Sequence, residues 1–240
     1  AMARARRLDW PALAVVAAPP TAILLLTPAL AGHASTQEPT WLLVPLNVMH
    51  VAAMAIWLGG IAALLIALPA ATSLIAPQRR SALLLAVLER FSPIALGCVV
   101  ALAVSGLVQA IVEVNGFGAL LGSAFGRAIV VKAGALAVLV GLGFSNRRRL
   151  IPAIAGCAAA HRPAGAPGRR LRSNLRLEAL GIGVALVAAA IMVGYAPPST
   201  AAAGPASGSV TVGPNYLEYT VEPASVGSNE VHLYLFASGD

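Results

Sequence analysis

Apolar residues dominate this 240-residue chain in five long blocks separated by short polar stretches. The blocks are Pro11–Ala31, Leu42–Leu68, Pro93–Val112, Arg127–Phe144 and Leu175–Tyr195. Each is long enough to cross a bilayer core of about 30 Å as a helix rising ~1.5 Å per residue. The first carries a Pro19-Pro20 pair that predicts a kink. Its basic flank resembles a signal peptide, but its apolar run is too long for one, so a spanning helix is predicted. After Tyr195 the pattern changes. "APPSTAAAGPASG" (196–208) reads as a Pro/Ala/Gly/Ser linker. "SVTV", "YLEYTV" and "NEVHLYLFA" then read as short strands with turn residues between them. In the last, Val231, Leu233 and Leu235 alternate with His232, Tyr234 and Phe236, giving the strand two different faces. Two or three strands do not close a core. The segment is therefore expected to begin a larger β-sandwich domain that the chain does not complete. The predicted architecture is an all-α membrane bundle of about five transmembrane helices with an extracytoplasmic, β-sandwich-like C-terminal fragment. Its domains are 1–195 (helical), 196–208 (linker) and 209–240 (β).

Composition strengthens the membrane reading. Hydrophobic residues make up 58% of the chain, charged residues only 10%, and mean hydropathy is +0.82. Soluble domains carry roughly 25% charged residues. The net charge of +7 raises the question of nucleic acid, which the placement of the cations answers. Arg4, Arg6 and Arg7 precede the first block, and Arg79, Arg80 and Arg90 lie between the second and third. Arg147, Arg148, Arg149, Arg162, Arg169, Arg170, Arg172 and Arg176 lie between the fourth and fifth. These fall on one side of a five-span topology, which the positive-inside rule makes the cytoplasm. The N-terminus is then cytoplasmic and the C-terminus extracytoplasmic. No aromatics interleave the arginines of the long loop, so the cations signal topology and lipid headgroup contact rather than nucleic acid.

Polar residues inside a bilayer are costly and invite a functional hypothesis. In "LNVMHVAAMAIWLGG" (46–60), His50, Met54 and Trp57 fall at i, i+4 and i+7 on one helix face, with Asn47 one turn outward. His50 is about 12 Å from the outer end of its helix at ~1.5 Å per residue. Imidazole with a thioether from Met54 or Met49 is a soft ligand set that suits Cu(I) and suits Mg2+ or Ca2+ poorly. Met192 in the last span offers another thioether, and His33 in the outer loop "AGHAST" a possible outer acceptor. Ser105, Gln109 and Glu113 make an i, i+4, i+8 stripe suited to orienting the imidazole or lining an entry path.

Plainer readings compete. A membrane histidine commonly hydrogen-bonds a neighbouring helix, and methionine commonly fills cores. Lys132 either pairs with a carboxylate or snorkels. Glu178 is expected to open the last helix and favour its N-terminus. Gly181 and Gly183 suit close helix packing. Below His50 its helix shows few polar residues, which tilts toward a role without transport. GxSxG, HExxH, CxxC and Walker motifs are absent from the sequence, so neither an enzyme nor an ATP-driven pump is predicted. Cys98 and Cys157 suggest no disulfide framework.

The order of several pieces resembles the CopD family of bacterial copper-resistance membrane proteins. The pieces are "AGHAST" (31–36), "LNVMHVAAMAIWLGG" (46–60), "RFSPIAL" (90–96) and "VSGLVQA" (104–110). "FGRAIVVK" (125–132), "NRRRLIP" (146–152) and "LRLEALGIGVALVA" (175–188) follow. The resemblance implies an inner-membrane protein that handles copper, moving it inward from the periplasmic side and so contributing to copper resistance. It implies as partners membrane lipid, the copper ion and a periplasmic CopC-like copper carrier. Under it His33 and His50 match the family's histidines, and Trp57, Gly59 and Gly60 its WxGG turn. Arg90, Phe91, Ser92, Pro93, Lys132 and Glu178 match further characteristic positions. The alternative is a non-transporting copper-delivery, assembly or sensor component for a membrane oxidase. A b-type haem protein ranks last, because only His50 lies within a span.

Overall fold

A computed structural model describes residues 10–114, 116–195, 197–198, 205–222, 224 and 229–237. Arg4, Arg6, Arg7, linker residues 196 and 199–204, the 225–228 turn and the closing 238–240 turn lie outside the described residues.

The helices are α1 (Trp10–Ala31), α2 (Thr40–Ala62), α3 (Leu68–Ala71), α4 (Pro77–Glu113), α5 (Phe117–Gly122), α6 (Ala124–Ser145), α7 (Ile151–Ala159) and α8 (Gly165–Val193). A π-helical turn at Ala63–Ala67 joins α2 to α3, and another at Asn146–Leu150 joins α6 to α7. Among the described residues five helical segments are long and apolar enough to cross a membrane. Helix α1 runs unbroken across Pro19, Pro20 and Pro28.

The spans match the apolar blocks, but three helices extend well beyond them. Helix α4 begins at Pro77 and passes through Pro93, where the apolar block begins. Helix α8 begins at Gly165 and not near Leu175. The fourth block ends at Phe144, whereas helical structure continues to Ala159. The physical reason is that hydropathy marks the lipid boundary, not the helix end. Ala, Leu and Arg are strong helix formers on either side of it. At ~1.5 Å per residue α4 reaches about 55 Å, so it outruns the hydrocarbon core.

The chain divides into two compact units, Ala1–Gln109 with Ala137–Gly183, and Ala110–Leu136 with Val184–Asp240. The first unit packs α1 against α2 and builds its core from Leu43, Trp57, Ile61, Leu102, Ile154 and Ile182. Polar links fix its arginine-bearing end. Arg80 donates to the carbonyls of Ile75 (2.6 Å) and Ser73, fastening the α3–α4 turn. Ser81 donates to the Arg162 carbonyl at 2.9 Å, and Arg147 donates to Ser92 Oγ at 2.9 Å. Close packing explains two glycines of this unit. A Cβ on Gly60 would stand 2.0 Å from the Phe91 ring, and one on Gly181 3.0 Å from Leu139. The WLGG and RFSP pieces of sequence therefore belong together because one leaves room for the other. Gly183 meets nothing within 4 Å, so its expected packing role is not seen.

In the second unit, Gly126 brings the start of α6 against the backbone of Ala119 and Leu120 in α5. Its C-terminal part is one antiparallel sheet of β1 (Ala206–Val212), β2 (Asn215–Glu222) and β3 (Glu230–Phe236), in the order β1-β2-β3. The register pairs Val210 with Leu217 and Leu217 with Leu235, so apolar residues share one face. Tyr216 and Phe236, paired on the other face, stack with ring centroids 4.8 Å apart.

Candidate functional site: a polar seam along α2

Helix α2 sets its polar residues on one stripe, and each meets a partner on another helix of the first unit. Asn47 Nδ2 donates to Gln109 Oε1 at 3.1 Å. Gln109 is held in turn, because its Nε2 donates to the Ser105 carbonyl at 3.0 Å. One turn along, His50 Nδ1 lies 2.8 Å from Ser105 Oγ. Ser105 is fully buried, and its hydroxyl is 2.6 Å from the Ala101 carbonyl. A carbonyl only accepts, so the serine proton points to Ala101 and the serine oxygen accepts from His50. This assigns the Nδ1–H tautomer to neutral His50 and leaves Nε2 as the lone-pair nitrogen, the form in which imidazole binds a metal. The His50 ring also faces Gly106 on α4, where a Cβ would stand 3.5 Å from Cε1.

Below His50 helix α2 itself carries few polar residues, as its sequence indicates, and the further polar groups come from other helices. Trp57, 3% exposed, directs its indole N–H to the Glu178 carboxylate on α8. Asn146 Nδ2 donates to Glu178 Oε1 at 2.7 Å. Asn174 Nδ2 donates to Asn146 Oδ1 at 2.6 Å. Glu178 is buried, at 4% exposure, and among the described residues no cation lies within 4.0 Å of it. The expectation that Glu178 opens the last helix is overturned, because α8 begins at Gly165 and Glu178 lies in its interior. Trp57 is seven residues from His50, about 10 Å at ~1.5 Å per residue. Two polar stations thus follow one another on the same face of α2.

Asn146 and Asn174 were missed by sequence reasoning because both lie among arginines, in "FSNRRRL" and "RSNLRL". The available signal was the i, i+4 spacing of Asn174 and Glu178 on one helix.

The other candidates fall as follows. Met54 is half-buried on α2, while Met49, next to His50 in the helix, points to a different side and is exposed. His33 opens a short 3-10 turn (His33–Ser35), and its side chain lies outside the described residues. Met192, Lys132 and Glu113 belong to the second unit. There Lys132 Nζ stands 3.9 Å from Met192 Sδ and interacts electrostatically with Glu113. Among the described residues no three His, Cys, Asp or Glu side chains cluster in a way that would hold a metal ion.

These features define a multi-pass membrane protein whose helical domain carries buried polar side chains along one helix face. Residues 85–192 match the CopD family, copper resistance protein D, which bears out the resemblance read from the sequence. That segment holds Ser105, Gln109, Asn146, Asn174 and Glu178, whereas α2 precedes it. The chain is also similar to the Copper transport protein CutJ of Bacillus subtilis (strain 168), 32% identical over 120 residues. The alignment takes in 50% of this chain and 21% of that protein, so the chain spans about a fifth of the relative's length. No solved structure matches.

Proposed function

We propose that this chain moves copper ions across the bacterial inner membrane, inward from the periplasmic side, with His50 as the capturing ligand. The carrying observation is that polarity continues along α2 from Asn47 and His50 to Trp57 and Glu178. A component that only delivers or senses copper needs a binding group, not a second polar station deeper in the bundle. The name of the relative, a copper transport protein, supports the same reading.

The proposed ligand set is His50 Nε2 with the Met54 thioether one turn along, which suits Cu(I). His33 stands in the outer loop as an acceptor, and a periplasmic CopC-like carrier supplies the ion. No Walker motif occurs in this sequence, which fits transport that is passive or coupled to the membrane potential. One positive charge moving inward gains about 2.3 kcal/mol per 100 mV.

The test is Cu(I) binding against a competing chelator, together with copper uptake into vesicles containing the full chain. His50→Ala is expected to weaken binding by about tenfold or more and to lower uptake in parallel. Binding and uptake unchanged by His50→Ala would remove the site. Binding by the wild type without uptake would favour the delivery role.

A further inference from the structure

Resting on the transport reading, we propose that Glu178 is a second, oxygen-based binding station for the copper ion, from which it is released toward the cytoplasm.

A charged carboxylate held among neutral groups inside a membrane bundle is costly unless a proton neutralises it or a cation visits it. Glu178 receives hydrogen bonds from Asn146 and the Trp57 indole, both neutral, and has no ion-pair partner among the described residues. The nearby arginines are committed elsewhere or face outward. Arg147 donates to Ser92, and Arg148 lies 5.6 Å over the Phe144 ring. Arg149, Arg172, Arg176, Glu89 and Arg90 are exposed. A carboxylate offers about four lone-pair sites, so two donors leave capacity for a metal ion.

The framework around this carboxylate is built for position. Asn146 is the first residue of a π-helical turn, a distortion frequent at functional sites. Its amide is itself fixed by Asn174. Helices α2 and α8 thus aim one indole and one carboxylate at the same spot, beyond Met54 on the face that also carries His50.

The chemistry of the two stations differs in a useful direction. Imidazole and thioether are soft and hold Cu(I) well, whereas a carboxylate with amide neighbours is a harder, weaker set for the same ion. Conduction requires sites favourable enough to enter yet weak enough to leave. A strong outer station followed by a weak, negatively charged inner one meets both conditions.

The experiment uses the full chain in vesicles with trapped chelator and an internal pH dye, comparing wild type, Glu178→Gln and Glu178→Asp. Glutamine keeps an oxygen to accept from Asn146 and Trp57 but loses the charge. A purely structural Glu178 would therefore tolerate Gln. The expected result is Cu(I) affinity at His50 within about twofold of wild type, with initial uptake lowered about tenfold or more in Glu178→Gln. Glu178→Asp, which keeps the charge, should recover part of the rate. Uptake by Glu178→Gln equal to wild type would overturn the station while leaving transport standing. Slowed uptake accompanied by one proton leaving per copper entering in the wild type would assign the carboxylate to a proton and overturn it also. No uptake by the wild type would overturn the transport reading itself, and the station with it.

Discussion

At the scale of single residues, the geometry turns on Ser105. Its proton is committed to the Ala101 carbonyl, so its oxygen fixes which nitrogen of His50 carries hydrogen. Removing that oxygen frees the ring to rotate and to exchange tautomers. Ser105→Ala is therefore expected to weaken Cu(I) binding by about 10- to 100-fold, the usual consequence of losing the group that orients a metal-binding histidine. Ser105→Thr, which keeps the hydroxyl, should bind close to wild type. A chelator competition on the three proteins checks this, and equal affinities would show that Ser105 does not orient the ligand. His50, Ser105, Gln109 and Asn47 were legible from the sequence because an apolar background makes each polar residue conspicuous. Their pairing was not, since the spacing within one helix does not say which residue of another helix stands opposite.

At the scale of elements, hydropathy located the spans and misplaced their ends, and that error hid half of the seam. A helix that leaves the bilayer stays a helix while its residues favour that state, so α6 continues through a π-helical turn into α7. Asn146 then lies buried at the start of a stretch whose arginines marked topology and lipid headgroup contact. The contact between α2 and α4 was equally hidden, although both halves of it stood out as sequence motifs. Gly60 leaves the space that the Phe91 ring fills. Gly60→Ala is expected to cost about 1–3 kcal/mol through overpacking, read as a lowered apparent Tm in detergent. Adding Phe91→Ala should recover part of that loss, because the clash then has no partner, and the double-mutant cycle measures the coupling. Additive losses would place the strain elsewhere.

For the whole molecule, the deciding quantity is which side each end of the bundle faces. Arginine is concentrated at 79–90 and 147–176, in the N-terminal part of α4 and around α7 and the start of α8, whereas the sheet follows the C-terminal end of α8. Positively charged loops are retained on the cytoplasmic side. Cation entry at His50 and release past Glu178 is downhill in the membrane potential only if that orientation holds. Single cysteines at two exposed positions, Arg169→Cys before the last span and Ser207→Cys on β1, report it directly when Cys98 and Cys157 are replaced by serine. A membrane-impermeant maleimide should label Ser207→Cys in intact spheroplasts and Arg169→Cys only after lysis. The reverse pattern would put His50 on the cytoplasmic side of Glu178. The soft station would then face the cytoplasm, and the same seam would capture copper for export against the potential.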